Sequence, residues 1–379
     1  MSPLPPSLQI LHTTLMSWSE GWSDETVEDH PLLAALREKG KILYEDGGTF
    51  IKKTLKYRRT RLAGYRDLQR QQWTRHEKTK VLELPWRGLN ANEMYSDLEL
   101  RQNRGRAARV KLFANKLGDM KEELEEDFGR IFYQDGEATG FTDHPHGIQS
   151  FMSHTGAVAT DAFATTLNDT YGGLSTARGA YGGTVKGGGA PSGTNFESSD
   201  PEWDFLSPVL VNALYNDGSA ALSWATDACS ILGRAITHAQ RGKGRKHQLD
   251  VFTMDAENYN ALKDQQRSKE RITVNPGSDR SLMVSLGFKN IMMVDGVDVM
   301  IDRDTPATTG GSTSVALRAY GWNFGAMALH LLPDEGKKQF WNRTHDYFEP
   351  DDGSYRFIVG LWGNFKFRPR YFVEVADYA

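Results

Sequence analysis

Four groups of residues in this chain have the types needed for chemistry. Asp143-His144-Pro145-His146, with His154 nearby, offers imidazoles and a carboxylate to a metal ion. The proline between the histidines denies them the i, i+4 spacing of a helical ligand pair, and no carboxylate–histidine motif accompanies them, so the stretch reads as a surface loop. The glycines from Tyr171-Gly172-Gly173 through Gly182-Gly183 to Gly187-Gly188-Gly189 resemble a phosphate loop in composition only. They do not follow a convincing strand, open no helix and lack the Gly-Lys-Ser/Thr ending. Asp295, Asp298, Asp302 and Asp304 gather around a hairpin without calcium-loop spacing, and turn and strand-edge roles account for them. Cys229, the single cysteine, sits in an apolar helical stretch with no local base, and there is no Gly-x-Ser-x-Gly elbow. No catalytic residue, metal site or cofactor is assigned.

The 379 residues exceed one compact core and imply two or three substructures. An apolar share of 39% and a charged share of 25% are those of a folded chain, which excludes a disordered one. One cysteine excludes a disulfide framework. A net charge of −4 gives no global attraction to nucleic acid or an acidic membrane. The start, Met1 to Ile10, carries three prolines rather than a secretion signal, and no apolar run approaches the ~20 residues of a membrane span. A reducing, aqueous compartment is expected.

Residues 1–40 read as an arm. Pro3, Pro5 and Pro6 discourage helix, and Trp18 and Trp22 sit in a polar stretch with no core of its own, so they are expected to pack against another surface. A short helix from Pro31 to Lys39 closes on Gly40. Residues 41–92 read as two long strands, near 49–57 and 79–84, with a polar insert. So basic a hairpin, with so few apolar residues, is expected to project without a core of its own. From Arg104 to Phe132, Val110, Phe113, Leu117, Met120, Leu124, Phe128 and Ile131 recur at spacings of three and four, the mark of one long amphipathic helix. Residues 137–205 read as long loops and short strands. A helix from about Ser219 to Gln240 is followed by a strand at 249–252 and a helix capped by Asp255 that runs to Lys269. Strands 291–294 and 297–301 then join through Asp295-Gly296, and the alternation describes a compact α/β domain. Tyr355 to Val375 has strand periodicity with a break expected at Gly363-Asn364.

Charge is unevenly spread. Residues 49–80 carry eleven basic residues, among them Lys52, Lys53, Lys56, Arg58 and Arg59, against Asp67 and Glu77. Residues 119–137 carry eight acids, including Glu122, Glu123 and Glu126, against Lys121 and Arg130. A basic extension and an acidic helix in one polypeptide suggest like subunits meeting head to tail, a contact that closes into rings or shells.

The order of these parts resembles the Hong Kong 97-type fold of tailed-bacteriophage major capsid proteins. The segment Leu98-Glu99-Leu100-Arg101-Gln102-Asn103-Arg104-Gly105 resembles the entry to that family's spine helix. Asp250 to Asp255 with Tyr259, the run Leu286 to Val299 with Asp302, and Tyr355 to Ala379 with Asn364 and Arg368-Pro369-Arg370 resemble its axial and closing strands. The resemblance implies an α+β fold: an N-terminal arm (1–40), an extended loop (41–92), a peripheral domain (93–205) with a spine helix at 104–132, an axial domain (206–345) and a return to the peripheral domain (346–379). It further implies a virion shell of hexamers and pentamers, assembled in the host cytoplasm around double-stranded DNA held non-specifically. Portal, scaffolding and decoration proteins are the implied partners, with no membrane. Some relatives crosslink a loop lysine to a neighbour's asparagine. Lys52, Lys53, Lys56 and Lys78 lie in that region, but no motif identifies a partner, so the chemistry is not carried over. A scaffolding domain is expected to be separate or removed. The rival readings are an encapsulin-type shell, against which the Pro-rich start counts, and a two-domain α/β enzyme using residues 219–330, which would need converging titratable groups.

Overall fold

The computed structural model describes residues 27–28, 30–57, 66–70, 77–96, 98, 102, 106–153, 169–177, 180–181, 206–214, 222–239, 248–268, 282–306, 318–333, 339–349 and 354–377. Trp18, Trp22, Arg58, Arg59, His154 and the glycines from Gly182 to Gly189 lie outside them. In chain order the elements are α1 (Pro31–Glu38), β1 (Ile42–Tyr44), β2 (Phe50–Lys56), β3 (Thr79–Pro85), β4 (Arg87–Ser96), α2 (Arg106–Ile131), β5 (Thr170–Tyr171), β6 (Leu174–Ser175), β7 (Val209–Asn212), α3 (Trp224–Ala239), β8 (Val251–Met254), α4 (Ala256–Ser268), α5 (Leu282–Ser285), β9 (Met292–Val294), β10 (Val297–Ile301), β11 (Arg318–Trp322), β12 (Met327–Leu331), β13 (Arg343–Glu349), β14 (Ser354–Phe367) and β15 (Val373–Ala376). They divide between two compact units.

The first unit takes residues up to Thr49, Pro85–Ile148 and Met327–Lys366. Its sheet runs β1-β12-β14-β13, and β4 pairs with β14 along ten residues, from Ser354↔Ser96 to Trp362↔Gly88 and Gly363↔Arg87. Alternation along β14 sends Tyr355, Phe357, Val359, Leu361 and Phe365 to the buried face. There Phe365 meets Phe132 at 4.7 Å, and Phe128 stands edge-on to Phe340 at 5.1 Å. Offset and edge-on rings are the favoured aromatic geometries, so this cluster fixes α2 on the sheet. Helix α1 is packed rather than loose: Leu32, Leu33 and Leu36 are fully buried. It ends as its sequence predicts, on Gly40 at φ +59°, with Lys41 N–H donating to Leu36 O at 2.8 Å.

The second unit takes Phe50–Leu84, Gln149–Ala326 and residues from Phe367 onward. Its six-stranded sheet has the order β7-β15-β11-β8-β10-β9, parallel at β7–β15 and β8–β10 and antiparallel elsewhere. Ala228, Ile231, Leu232, Ala235 and Ile236 of α3, with Tyr259 and Leu262 of α4, join the sheet residues in one apolar core. Asp255 caps α4 by accepting Asn258 N–H at 2.9 Å. Asp295 (φ +48°) and Gly296 (φ +81°) make the tight β9–β10 turn, both central residues left-handed.

Three expectations are corrected here. The β2–β3 hairpin does bury a face: Ile51, Leu55, Tyr57, Leu82 and Leu84 are buried, and Glu83 N–H donates to Gly172 O at 3.2 Å. Gly172 permits that approach, since a Cβ there would stand 2.7 Å from Leu82 Cγ. The stretch 41–92 contains more than a hairpin, because β1 precedes it and β4 begins at Arg87. Strand β14 continues unbroken through Gly363-Asn364. Gly363 marks close approach and not a break: a Cβ there would lie 2.6 Å from His330 O.

Two glycines should respond to alanine in opposite directions. A Cβ at Gly360 would meet Leu89 O at 2.1 Å, so Gly360→Ala should cost about 1–3 kcal/mol through forced shifts. Gly118 lies exposed within α2 with nothing within 4 Å of its would-be Cβ, so Gly118→Ala should gain about 0.5–1 kcal/mol. Urea midpoints of the purified variants, compared with the parent chain, measure both.

Candidate inter-subunit surfaces

Strand alternation divides the hairpin into a buried face and an outward one. Phe50, Lys52, Thr54 and Lys56 on β2 and Val81 and Glu83 on β3 are exposed. Phe50 keeps 44% and Val81 47% of their surface open, a large apolar share for a strand pair rich in lysine. Lys52 is matched within the hairpin by Glu83 at 2.9 Å, and Lys80 by Glu77 at 3.0 Å. The Lys52–Glu83 pair neutralises part of the lysine surplus across the strands, which counting along the sequence could not show, whereas Lys80–Glu77 is local. Lys53 and Lys56 also stand exposed.

On α2, the stripe residues Met120, Phe128 and Ile131 are buried, while Glu122, Glu123, Glu126 and Asp127 face solvent. Asp127 is paired with Arg130 at 3.2 Å, one turn on. Lys116, near the middle of the helix, ties to Glu93 of β4 at 3.2 Å. Such exposed pairs contribute roughly 0–1 kcal/mol each. The acidic run is a solvated face, available to a partner of opposite charge.

The residues that hinted at metal or acid–base chemistry are occupied with architecture. His146 is buried, and its backbone N–H donates to Asn364 Oδ1 at 2.8 Å. Asn364 Nδ2 in turn donates to Pro85 O at 2.9 Å, and the two ends of its amide stand 2.9 and 3.2 Å from His146 Nδ1, while His146 Nε2 lies 3.6 Å from Glu137. Arg87 Nη1 donates to the carbonyls of Gly136 (2.6 Å) and His144 (2.7 Å), closing the loop that follows α2. Asp298 is buried and accepts Met283 N–H at 3.3 Å, while Asp302 accepts Asp304 N–H at 3.0 Å in a local turn. Cys229 N–H donates to Gln265 Oε1 at 3.0 Å, and its side chain is half-buried. Tyr320 is pushed far above the ordinary phenol value by burial first, and then by the nearby Glu374 carboxylate; it accepts Gln149 Nε2–H at 2.8 Å as a neutral structural group. No cluster of three or more His, Cys, Asp or Glu side chains able to hold a metal occurs among the described residues. Nor, among them, is any helix long and apolar enough to cross a membrane.

Arg87, Asn342 and Asn364 carry these contacts, and nothing in their spacing signals it. Asn342 bonds both ways to Trp362, 20 residues on, accepting its N–H at 2.7 Å and donating to its carbonyl at 3.0 Å. Asn364 reaches across 218 residues to His146.

The fold built in this way is that of phage capsid proteins. The capsid protein of cyanophage A-1(L) aligns at a TM-score of 0.56 with 15% identity, covering 93% of this chain and 93% of that chain. The capsid of a native GTA particle aligns at 0.50 with 12% identity, covering 91% of each. The holo-SrpI encapsulin complex from Synechococcus elongatus PCC 7942 aligns at 0.45 with 10% identity, covering 90% of this chain and 87% of that one. No protein-family model matches the sequence, and no curated protein matches it.

Replacing Asn364 by alanine should orphan the His146 N–H and Pro85 carbonyl, at about 1–3 kcal/mol for each buried group left unsatisfied. Replacing exposed Glu122 by alanine should leave stability within about 0.5 kcal/mol of the parent. Thermal unfolding of the two variants side by side tests the assignment of one to architecture and the other to an open face.

Proposed function

We propose that this chain is the major capsid protein of a tailed bacteriophage, a subunit that builds the shell and performs no chemistry of its own. The observation that carries the reading is the likeness to the cyanophage capsid protein, which spans 93% of both chains. In this reading subunits form hexamers and pentamers that close around packaged double-stranded DNA, in contact with portal and scaffolding proteins. The arm, extended loop, peripheral and axial parts are those of the Hong Kong 97-type arrangement, with α2 as the spine helix.

Two features support a shell. The hairpin's outward face combines exposed Phe50 and Val81 with Lys52 and Lys56, and Lys53 stands exposed on the other parity; apolar area beside a lysine surplus suits a partner surface. Helix α2 exposes Glu122, Glu123 and Glu126, the opposite sign. One subunit's loop over the next subunit's spine helix, repeated around each ring, would satisfy both. Arg58, Arg59, Trp18 and Trp22 complete the proposed contact set. Individual exposed pairs contribute little, so the complementarity sets register and assembly rate, while Phe50 and Val81 supply area.

The purified chain should yield megadalton particles by size-exclusion chromatography and closed shells by electron microscopy. A monomer or small oligomer at all salt and protein concentrations would overturn the reading. Changing Lys52, Lys53 and Lys56 together to glutamate should block shells and leave the subunit folded. Adding lysine at Glu122, Glu123 and Glu126 should partly restore them. Salt should slow assembly of the parent, because the Debye length falls to about 10 Å at 0.1 M. Normal assembly of the triple variant at low salt would shift the positioning role to apolar packing.

A further inference from the structure

An aspartate followed by glycine is the pair at which a backbone nitrogen reaches the preceding carboxyl most readily, because glycine puts no side chain in the way. Three such pairs lie among the described residues: Asp46-Gly47, Asp135-Gly136 and Asp295-Gly296. Asp217-Gly218 and Asp352-Gly353 lie outside them. The three are held differently. Asp135 Oδ1 accepts Glu137 N–H at 2.9 Å, and Gly136 is buried with its carbonyl bonded to Arg87 Nη1 at 2.6 Å. Asp295 and Gly296 are fixed left-handed in the β9–β10 turn, which the pairing of Val294 with Val297 closes. Asp295 Oδ2 also lies against α3, 2.7 Å from the place a Cβ on Gly233 would take.

Asp46-Gly47 follows β1 and has none of these restraints. Asp46, Gly47 and Gly48 are exposed, and nothing lies within 4 Å of a Cβ built on Gly47. Among the described residues, neither the Asp46 carboxylate nor the Gly47 N–H has a hydrogen-bond partner. The pair is nonetheless anchored on either side. Glu45 N–H donates to Leu331 O at 2.9 Å, and Gly48 O accepts Trp86 Nε1–H at 2.7 Å.

We infer that Asp46-Gly47 is a site of spontaneous backbone isomerisation, at which aspartate converts to isoaspartate through a cyclic imide. Gly47 N bonds to Asp46 Cγ, and its proton leaves with the hydroxyl of the protonated carboxyl as water. Water then opens the five-membered ring at one of its two carbonyls. Opening at Cγ restores aspartate. Opening at the Asp46 main-chain carbon leaves the chain running through Cβ and Cγ, with a free α-carboxylate. No atom is gained or lost overall, nothing is oxidised, and water is the only co-reactant. The product's backbone is longer by one carbon–carbon bond, about 1.5 Å, between the Glu45 and Gly48 anchors. The site lies within one subunit and does not depend on the shell reading, so either can fail alone.

The test incubates the full chain in warm, neutral buffer made with heavy-oxygen water, with oligomeric state matched across samples. Each ring opening leaves a heavy oxygen at the reacting residue, and peptide mapping by mass spectrometry separates the two linkages. Heavy oxygen and isoaspartate should accumulate at residue 46 about tenfold or more faster than at 135 and 295, because the locked pairs must first open locally. In the urea-unfolded chain the three rates should converge, since the dipeptide is the same and only the fold distinguishes them. Asp46→Glu keeps the charge at an exposed position but needs a six-membered ring, and should lose the signal at 46 while circular dichroism stays that of the parent. No product at 46 in the folded chain, equal rates at the three pairs before unfolding, an unchanged order of rates in urea, or an undiminished signal in Asp46→Glu would each overturn the inference.

Discussion

The close backbone approach along β14 is the constraint from which the first unit's arrangement follows. This fourteen-residue strand is paired with β4 on one side and with β13 on the other. Glycine at 360 and 363 admits neighbouring carbonyls that any side chain would exclude. With the strand held there, alternation puts Tyr355, Phe357, Val359, Leu361 and Phe365 on one buried face, and Phe365 meets Phe128 of α2 and Phe132 just beyond its end. Asn364, on the other parity, becomes a buried polar hub for the loop after α2. One packed face and one satisfied polar face on a single strand position the long helix.

The second unit meets a different demand. Its central strands β8 and β11 are buried on both faces, so every polar group between them needs an internal partner. Trp322 Nε1 donates to Thr253 Oγ1 at 2.8 Å, Phe324 N–H to Asp250 Oδ2 at 2.9 Å, and Asn323 Nδ2 to Gln248 O at 2.9 Å. These bonds fix register where apolar packing alone would tolerate slippage. Phe151, Tyr171, Phe367 and Phe372 then form an aromatic cluster, and Tyr171 OH accepts Phe367 N–H at 3.0 Å.

Among the described residues, His146, Asp298 and Glu374 are spent internally, and charge of opposite sign is exposed on the β2–β3 hairpin and on α2. A site for chemistry needs groups that converge on a space they do not fill. Here His146, Asp298 and Glu374 point instead at partners within their own unit, Asn364, Met283 and Arg318. Among the described residues, a lysine-bearing strand pair and a glutamate-bearing helix face stand open.

The elements were legible because they rest on local rules. Pro31 and Gly40 bound α1, Asp255 caps α4, Asp295-Gly296 makes the β9–β10 turn, and the three-and-four spacing of apolar residues gives α2 as Arg106–Ile131 within the stretch 104–132. Capping, turn chemistry and periodicity act over a few residues, so they can be read from a few residues. The hairpin's buried face was not legible, because its cover comes from Gly172, about ninety positions away, and because Lys52 finds Glu83 only once β2 and β3 pair. The continuity of β14 was missed for a related reason: Gly363 looks like a breaker until His330 is placed against it. Sequence alone determined which segments are helix, strand and turn, and where charge accumulates. Tertiary structure alone decided which side chains are shared between distant segments, because a hydrogen bond of about 3 Å depends on the path of the whole chain between its ends.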